Sequence, residues 1–361
     1  MHTYTMGKIK RILLGFMFLI IGAGMAMAQD SIPEQPAEKP LAKAAFESNY
    51  FIAEQTVVLP PARTLEFILM HDFGTIQNHW KDLYGIWGSS NIRFGLNYTI
   101  TKDLQVGFGT TRKKLLQDFS LKYILARQRK DGFPVSITFY GNVALDCRNK
   151  SALGNNKLAS DLDYNALVTD STFRSNIQNQ IIQNDTNEGL NYITYNQATG
   201  LAGNNTTDLS SLFDQTFKAS YRFSYYAEFM FARRFCKMFS AQFAVSWLHY
   251  NLVDDAEMTN NHVNSGMKNN NITISGIGRI KVSPQTSVML SYSQPIATYT
   301  NTAPWPNFGA GVEISTSTHA FQIFLTSATG MLPQENSMYN YNNPYKGYIV
   351  LGFNITRLWT F

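Results

Sequence analysis

The sequence predicts an all-β fold: a closed antiparallel transmembrane β-barrel of about 12 strands, with both termini periplasmic. Three observations carry this. The final stretch GYIVLGFNITRLWTF alternates, with Phe361, Trp359, Ile355, Phe353, Leu351 and Ile349 on one face and small or polar residues such as Thr360, Thr356, Asn354 and Gly352 on the other. A period of two with one apolar face is a strand that touches apolar surroundings on one side only. At the other end, Lys8, Lys10 and Arg11 precede the run ILLGFMFLIIGAGMAMA and an A-x-A site at Ala26–Ala28, the pattern of a secretory signal peptide (residues 1–28) cleaved before Gln29. Between these ends, alternating segments are joined by connections that are short and long in turn.

The strands are expected at 64–72, 91–100, 104–111, 118–129, 134–145, 217–233, 239–250, 271–282, 286–293, 306–316, 319–327 and 347–361. The total is even, as single-chain bacterial barrels require. Short connections follow the even strands, as at Thr101–Asp103, Lys130–Phe133, Phe235–Met238, Ser283–Gln285 and Ser317–Thr318. Longer ones follow the odd strands, from 112–117 up to 146–216. Short periplasmic turns against long extracellular loops give this rhythm. No later stretch has the ~18 or more uninterrupted apolar residues of a spanning helix.

Alternation assigns faces. Ile92, Phe94, Leu96, Tyr98 and Ile100 face lipid, as do Tyr221, Phe223, Tyr225, Phe229 and Phe231, then Phe239, Phe243, Val245 and Trp247. Arg93, Asn97, Ser220, Arg222, Ser224, Glu228, Gln242 and Ser246 face inward. Trp247 at the outer end and Tyr98 and Trp359 at the inner end suit interfacial aromatic girdles. The segment 29–63 precedes the barrel domain 64–361. Its first part, 29–45, is rich in Pro, Ala and charge and reads as a mobile tail, while 46–63 (FESNYFIAEQTVVLPPAR) is more apolar and either docks under the barrel or enters it. The loop 146–216, rich in Asn, Ser, Thr and Asp, is either a disordered excursion or a binding loop.

Charge narrows the partners. The full chain has 30 Lys and Arg against 25 Asp and Glu, and removing the signal peptide with its three cations leaves a net charge of +2. That gives no case for nucleic acid. The lumen-facing charges are Glu66, Arg93, Lys122, Arg222, Glu228, Arg279, Lys281 and Glu313. Chain direction places Arg93, Lys122 and Arg222 in an outer, positively biased vestibule that favours anions. It places the other five in an inner constriction of Glu–Arg/Lys pairs.

Chemistry is sparse. There is no G-x-S-x-G and no H-E-x-x-H, and the six His have no ligand spacing, so no catalytic, metal or cofactor site is expected. His249 with Ser246 or Ser291 is the one pairing that an outer-wall lipid hydrolase would use, and a loop metal site from His79, His262, Asp254 and Asp255 is equally weak. Cys147 and Cys236 fall at opposite barrel ends, roughly 25 Å of wall apart, and are expected to be free thiols.

The stretches LEFILMHDFG (65–74), YRFSYYAEFMFARRF (221–235), WLHYNLV (247–253), GIGRIKVSPQTSVMLSY (276–292), HAFQIFLTSATGM (319–331) and GFNITR (352–357) carry a resemblance. The chain resembles a family of gram-negative outer-membrane β-barrel proteins catalogued as a domain of unknown function. The resemblance covers most of the chain after the signal and implies the fold and the cell outer membrane as location. It implies no activity, ligand or catalytic residue. The expected function is a narrow, porin-like channel for small solutes. The alternative is a non-conducting barrel serving as a surface-display or docking platform, and a lipid hydrolase is third. Expected partners are outer-membrane lipid and the barrel-assembly machinery that reads Trp359 and Phe361 as an insertion signal, with a small solute under the channel reading, while a periplasmic partner of the N-terminal segment is left open.

Overall fold

The structure, a computed structural model, describes residues 39–153, 158–161, 217–254, 256–259, 262–296 and 303–361. The signal peptide, most of the 29–45 tail and most of the 146–216 loop lie outside the described residues. Twelve antiparallel strands close into one barrel. They are β1 (Thr64–Thr75), β2 (Asn91–Thr99), β3 (Leu104–Thr111), β4 (Leu116–Ala126), β5 (Ser136–Asp146) and β6 (Phe223–Arg234). The second half comprises β7 (Phe239–Tyr250), β8 (Asn270–Lys281), β9 (Thr286–Pro295), β10 (Asn307–Ser315), β11 (His319–Thr326) and β12 (Val350–Thr360). Among the described residues no helix is long and apolar enough to cross a membrane.

Each strand pairs with its neighbours in sequence, and β12 closes on β1, from Thr360 opposite Thr64 to Val350 opposite Thr75, with an irregularity between Val350 and Gly352. Closure leaves no unpaired strand edge, which a hydrocarbon surrounding could not satisfy. The faces follow the alternation. Phe94, Leu96, Tyr98, Phe229, Phe243 and Trp247 are exposed on the outside, while Arg93, Asn97, Glu228, Gln242 and Ser246 are buried within.

Two departures from the sequence reading have local causes. Residues Ala219–Arg222 form a 3-10 turn, so β6 begins at Phe223 rather than at 217. Tyr221 is therefore buried in the loop rather than lipid-facing, and Ser220 is exposed. The rhythm of connections also has an exception. The β3–β4 link (112–115) is shorter than the β4–β5 link (127–135), because β4 starts at Leu116 and its pairing with β5 ends at Ala126, past an irregularity near Ile124.

The core lies inside the barrel and is supplied from both ends. Residues 45–58 enter from the short-turn end, where Ala42 N–H donates to Gln128 O. They turn through a tiny hairpin, Tyr50–Phe51 against Glu54–Gln55, and return to the same end, where Arg63 N–H donates to Thr99 O. From the long-loop end, the β11–β12 connection dips inward and carries a six-residue helix α1 (Pro333–Met338), buried throughout. Phe46, Phe51, Ile52 and Val57 of the first insert share one apolar cluster with Met338 of the second and with wall residues Tyr140, Tyr226, Met230 and Met289. Tyr50 and Met331 meet over Ile68 and Met70.

Candidate functional site: the plugged lumen

The lumen wall is built from short polar side chains, because every second residue of each strand points inward and cannot face lipid. Those side chains hold the N-terminal insert by its backbone. Gln322 accepts from Ile52 N–H (3.1 Å) and donates to Tyr50 O (2.8 Å). Asn354 donates to Ile52 O (2.8 Å). Across the lumen, Gln242 accepts from Val57 N–H (2.9 Å) and donates to Gln55 O (2.8 Å), and the Thr138 hydroxyl donates to Val57 O (3.0 Å). Gln322 and Gln242 each bracket one residue of the insert, Phe51 and Thr56, by the carbonyl before it and the N–H after it, as a neighbouring strand would, so buried backbone groups of an irregular segment find partners.

Of the residues expected to line the lumen, Glu66, Arg93, Lys122, Glu228, Arg279 and Glu313 are buried inside. Their pairing differs from the expectation. Arg93 reaches across Gly109 to Asp118 on β4, with Nε to Oδ1 at 3.1 Å and Nη2 to Oδ2 at 2.7 Å. A Cβ at Gly109 would lie 2.2 Å from Arg93 Nη2, so glycine leaves the room this fork needs. Asn142 adds a third bond to Asp118 (3.0 Å). Arg93 is thus neutralised by an acid the sequence reading passed over.

Lys122 lies with the inner group, not in an outer vestibule. Its ammonium donates to the insert at Thr56 O (2.9 Å) and to the Asn49 side-chain oxygen. Glu66 completes the group, accepting from Asn49 (2.7 Å) and Asn97 (2.9 Å). The register sets this position, because β4 pairs Lys122 with Gln105, the second residue of β3 and hence near the short-turn end. Arg222 leaves the lumen altogether. It precedes β6 and donates to Asp146 O (2.8 Å) and to Arg148 O at the rim. The positively biased vestibule is therefore not formed.

Towards the short-turn end, opposite charges pair between wall and insert, with Glu47 rather than a wall glutamate as the acid. Arg279 and Lys281 converge on Glu47 of the insert at 3.1 and 2.8 Å. Burial alone would raise the Glu47 pKa, but the Lys281 hydrogen bond and the Arg279 and Lys281 charges outweigh it and hold the carboxyl below its ordinary range. Glu313 accepts from Gln322 (2.7 Å). Above the insert, α1 is held by Gln334 donating to Asn142 (2.7 Å), by Asn271 donating to Ser337 O (2.8 Å), and by Asn307 donating to Asn336 O (3.1 Å). Glu335 pairs with Lys114 at 3.5 Å.

The hydrolase pairing is not assembled. Ser246 and Ser291 are buried inside the barrel, and the Ser246 hydroxyl donates to Thr273 O. Both ring nitrogens of His249 are occupied at the rim, by Asn270 (2.9 Å) and Asn251 (3.0 Å). No group of three or more potential metal ligands occurs among the described residues. Cys147 and Cys236 are free and exposed. Trp359 and Phe361 are exposed on the outer wall at the end of β12.

The chain is similar to several solved structures at low identity. The NanC porin matches at 6% identity and a TM-score of 0.40, over 82% of this chain and 99% of that one. The KdgM porin in complex with disordered oligogalacturonate matches at 5% and 0.36, over 82% and 99%. An outer membrane channel from Pseudomonas putida matches at 11% and 0.38, over 84% and 97%. No curated protein matches the sequence. Residues 46–359 match the family described as "Membrane bound beta barrel domain (DUF5777)". The match reaches from the lumen insert into the last strand, and the chain accordingly belongs to this family of membrane-bound β-barrels.

Proposed function

We propose that this barrel is a gated passage for small polar solutes, closed at rest by its own N-terminal segment. The observation that carries the reading is the path of that segment. Residues 45–58 enter and leave by the same end and are tethered to the wall at Thr64, so they can withdraw without being threaded through the barrel. What they would uncover is a polar wall of Asn97, Gln105, Thr138, Gln242, Gln322 and Asn354, groups that water can satisfy as well as the insert does. A barrel meant to stay filled has no need of so many side-chain amides there, since apolar packing of the same volume is at least as stable. Twelve strands lie between eight-stranded barrels packed with side chains and 16–18-stranded open porins. In this size range the inserts decide whether solute passes.

Liposome swelling tests the reading. Vesicles carrying the full chain should swell slowly in arabinose, and a variant with Asn49→Ala, Gln242→Ala and Gln322→Ala, which strips clamps from the insert, should swell several-fold faster. Equal rates at equal amounts of folded barrel would reject gating by this segment and favour the docking-platform reading, in which the filled lumen only stiffens the barrel.

A further inference from the structure

The long-loop end carries a second feature, separate from the lumen charges. A cleft of about 560 Å3 opens between the end of β1, the β1–β2 loop, Asn91 at the head of β2 and the β11–β12 connection. Its volume falls in the roughly 300–1,000 Å3 range of small-molecule sites. Two buried amide nitrogens on its lining, Asn91 Nδ2 and Asn342 Nδ2, have no hydrogen-bond partner. The orientation of Asn91 is set by its other end, where Oδ1 accepts from Ile92 N–H (3.0 Å) and Lys113 N–H (3.1 Å). The unpaired N–H2 is thereby fixed as a donor. A buried donor left unsatisfied costs ~1–3 kcal/mol and calls for an outside partner.

The remaining lining defines that partner. The ionisable residues of the lining are Asp72, Asp82, Arg112 and Lys113, so carboxyl and cationic groups are mixed and neither sign dominates the cleft. Amide donors beside carboxylate acceptors suit a ligand whose neighbouring groups both donate and accept, which is the property of vicinal hydroxyls. The Asp82 carboxyl is kept ionised by hydrogen bonds from Asn78 and Gly85 N–H, which lower its pKa, and so stays an acceptor. The loop that supplies Asn78, Asp82 and Ser89 also raises Trp80 and Trp87, each 74% exposed, and Tyr84. Flat aromatic faces of this kind pack against the C–H face of a sugar ring. The loop is firmly seated, because Gly74 N–H donates to Gly85 O (2.8 Å) and a Cβ at Gly85 would fall 2.2 Å from Gly74 O.

From the unpaired amides, the mixed charge and the exposed aromatics of the loop that supplies part of the lining, we infer that this cleft is a binding site for a neutral saccharide. The inference holds whether or not the barrel conducts. Calorimetric titration of the full-length protein in detergent with maltohexaose, cellohexaose and chitohexaose is the test. At least one glycan should bind. Asn91→Asp preserves the acceptor that holds Ile92 and Lys113 but turns the free donor into an acceptor, and it should weaken binding by about tenfold or more. Trp80→Ala should weaken it as well. Should Asn91→Asp fail to give a heat-modifiable, folded barrel, Asn342→Asp makes the same donor-to-acceptor change on the facing connection. Binding of none of the three glycans, or unchanged affinity in a folded donor-to-acceptor variant, would overturn the assignment.

Discussion

At the scale of single residues, the interior charges are structural partners before they are selectivity elements. Arg93 and Asp118 are each about 1% exposed or less, so removing one leaves the other charged and unpaired in a dry interior. Asp118→Ala should therefore destabilise the barrel by about 3–5 kcal/mol, whereas Arg93→Leu combined with Asp118→Ala should recover much of the loss. Urea unfolding from lipid vesicles measures both. Glu47 carries a pH dependence. Its folded pKa is depressed, so its contribution is present above the ordinary carboxylate range and is lost as pH falls through the lowered value. Acidification should loosen the insert and raise conductance, and Glu47→Gln should remove that step. A wild-type response identical to Glu47→Gln would show that the ion pairs with Arg279 and Lys281 do not hold the insert. The alternation made Arg93 and Lys122 legible as inward-facing, and Asp118, four residues before Lys122 and on the same face, carried the same signal. What the sequence could not give was which neighbours meet, since Arg93 reaches over Gly109 only once the β2–β3–β4 register is set.

At the scale of elements, strands were readable because lipid on one side and a polar lumen on the other impose a strict period of two. The inserts were harder to read. The apolar character of 46–63 left two placements open, under the barrel or within it, and the structure shows the second. Helix α1 gave no signal at all, since PQENSM is short and polar and lacks helical periodicity. It is stabilised by wall amides rather than by an amphipathic face. The hairpin of the N-terminal insert turns at Ile52 with φ of 60°, a left-handed value that a β-branched residue adopts at a cost of ~1–3 kcal/mol. Gln322 and Asn354 hold that turn from the wall, so the strain favours release once they let go. At the closing seam, Phe361 N–H donates to Arg63 O beyond the last strand pair. Phe361→Glu should reduce the amount of heat-modifiable barrel in the outer membrane, and undiminished levels would show that the terminal aromatic is dispensable for insertion.

At the scale of the whole molecule, the barrel is a polar-walled tube entered from its two ends by inserts of different origin, of which the N-terminal one closes the passage in the proposed function. One comes from the chain that precedes β1 and the other from the connection between β11 and β12, and they meet at Tyr50 and Met331. The inner ion pairs join wall to insert, so any displacement of residues 45–58 breaks them together. Single-channel conductance in a planar bilayer, comparing the full chain with a folded variant lacking residues 45–58, tests this account most directly. The full chain should be closed apart from brief openings, and the shortened chain should show a steady open level. A shortened chain as silent as the full one would contradict this account.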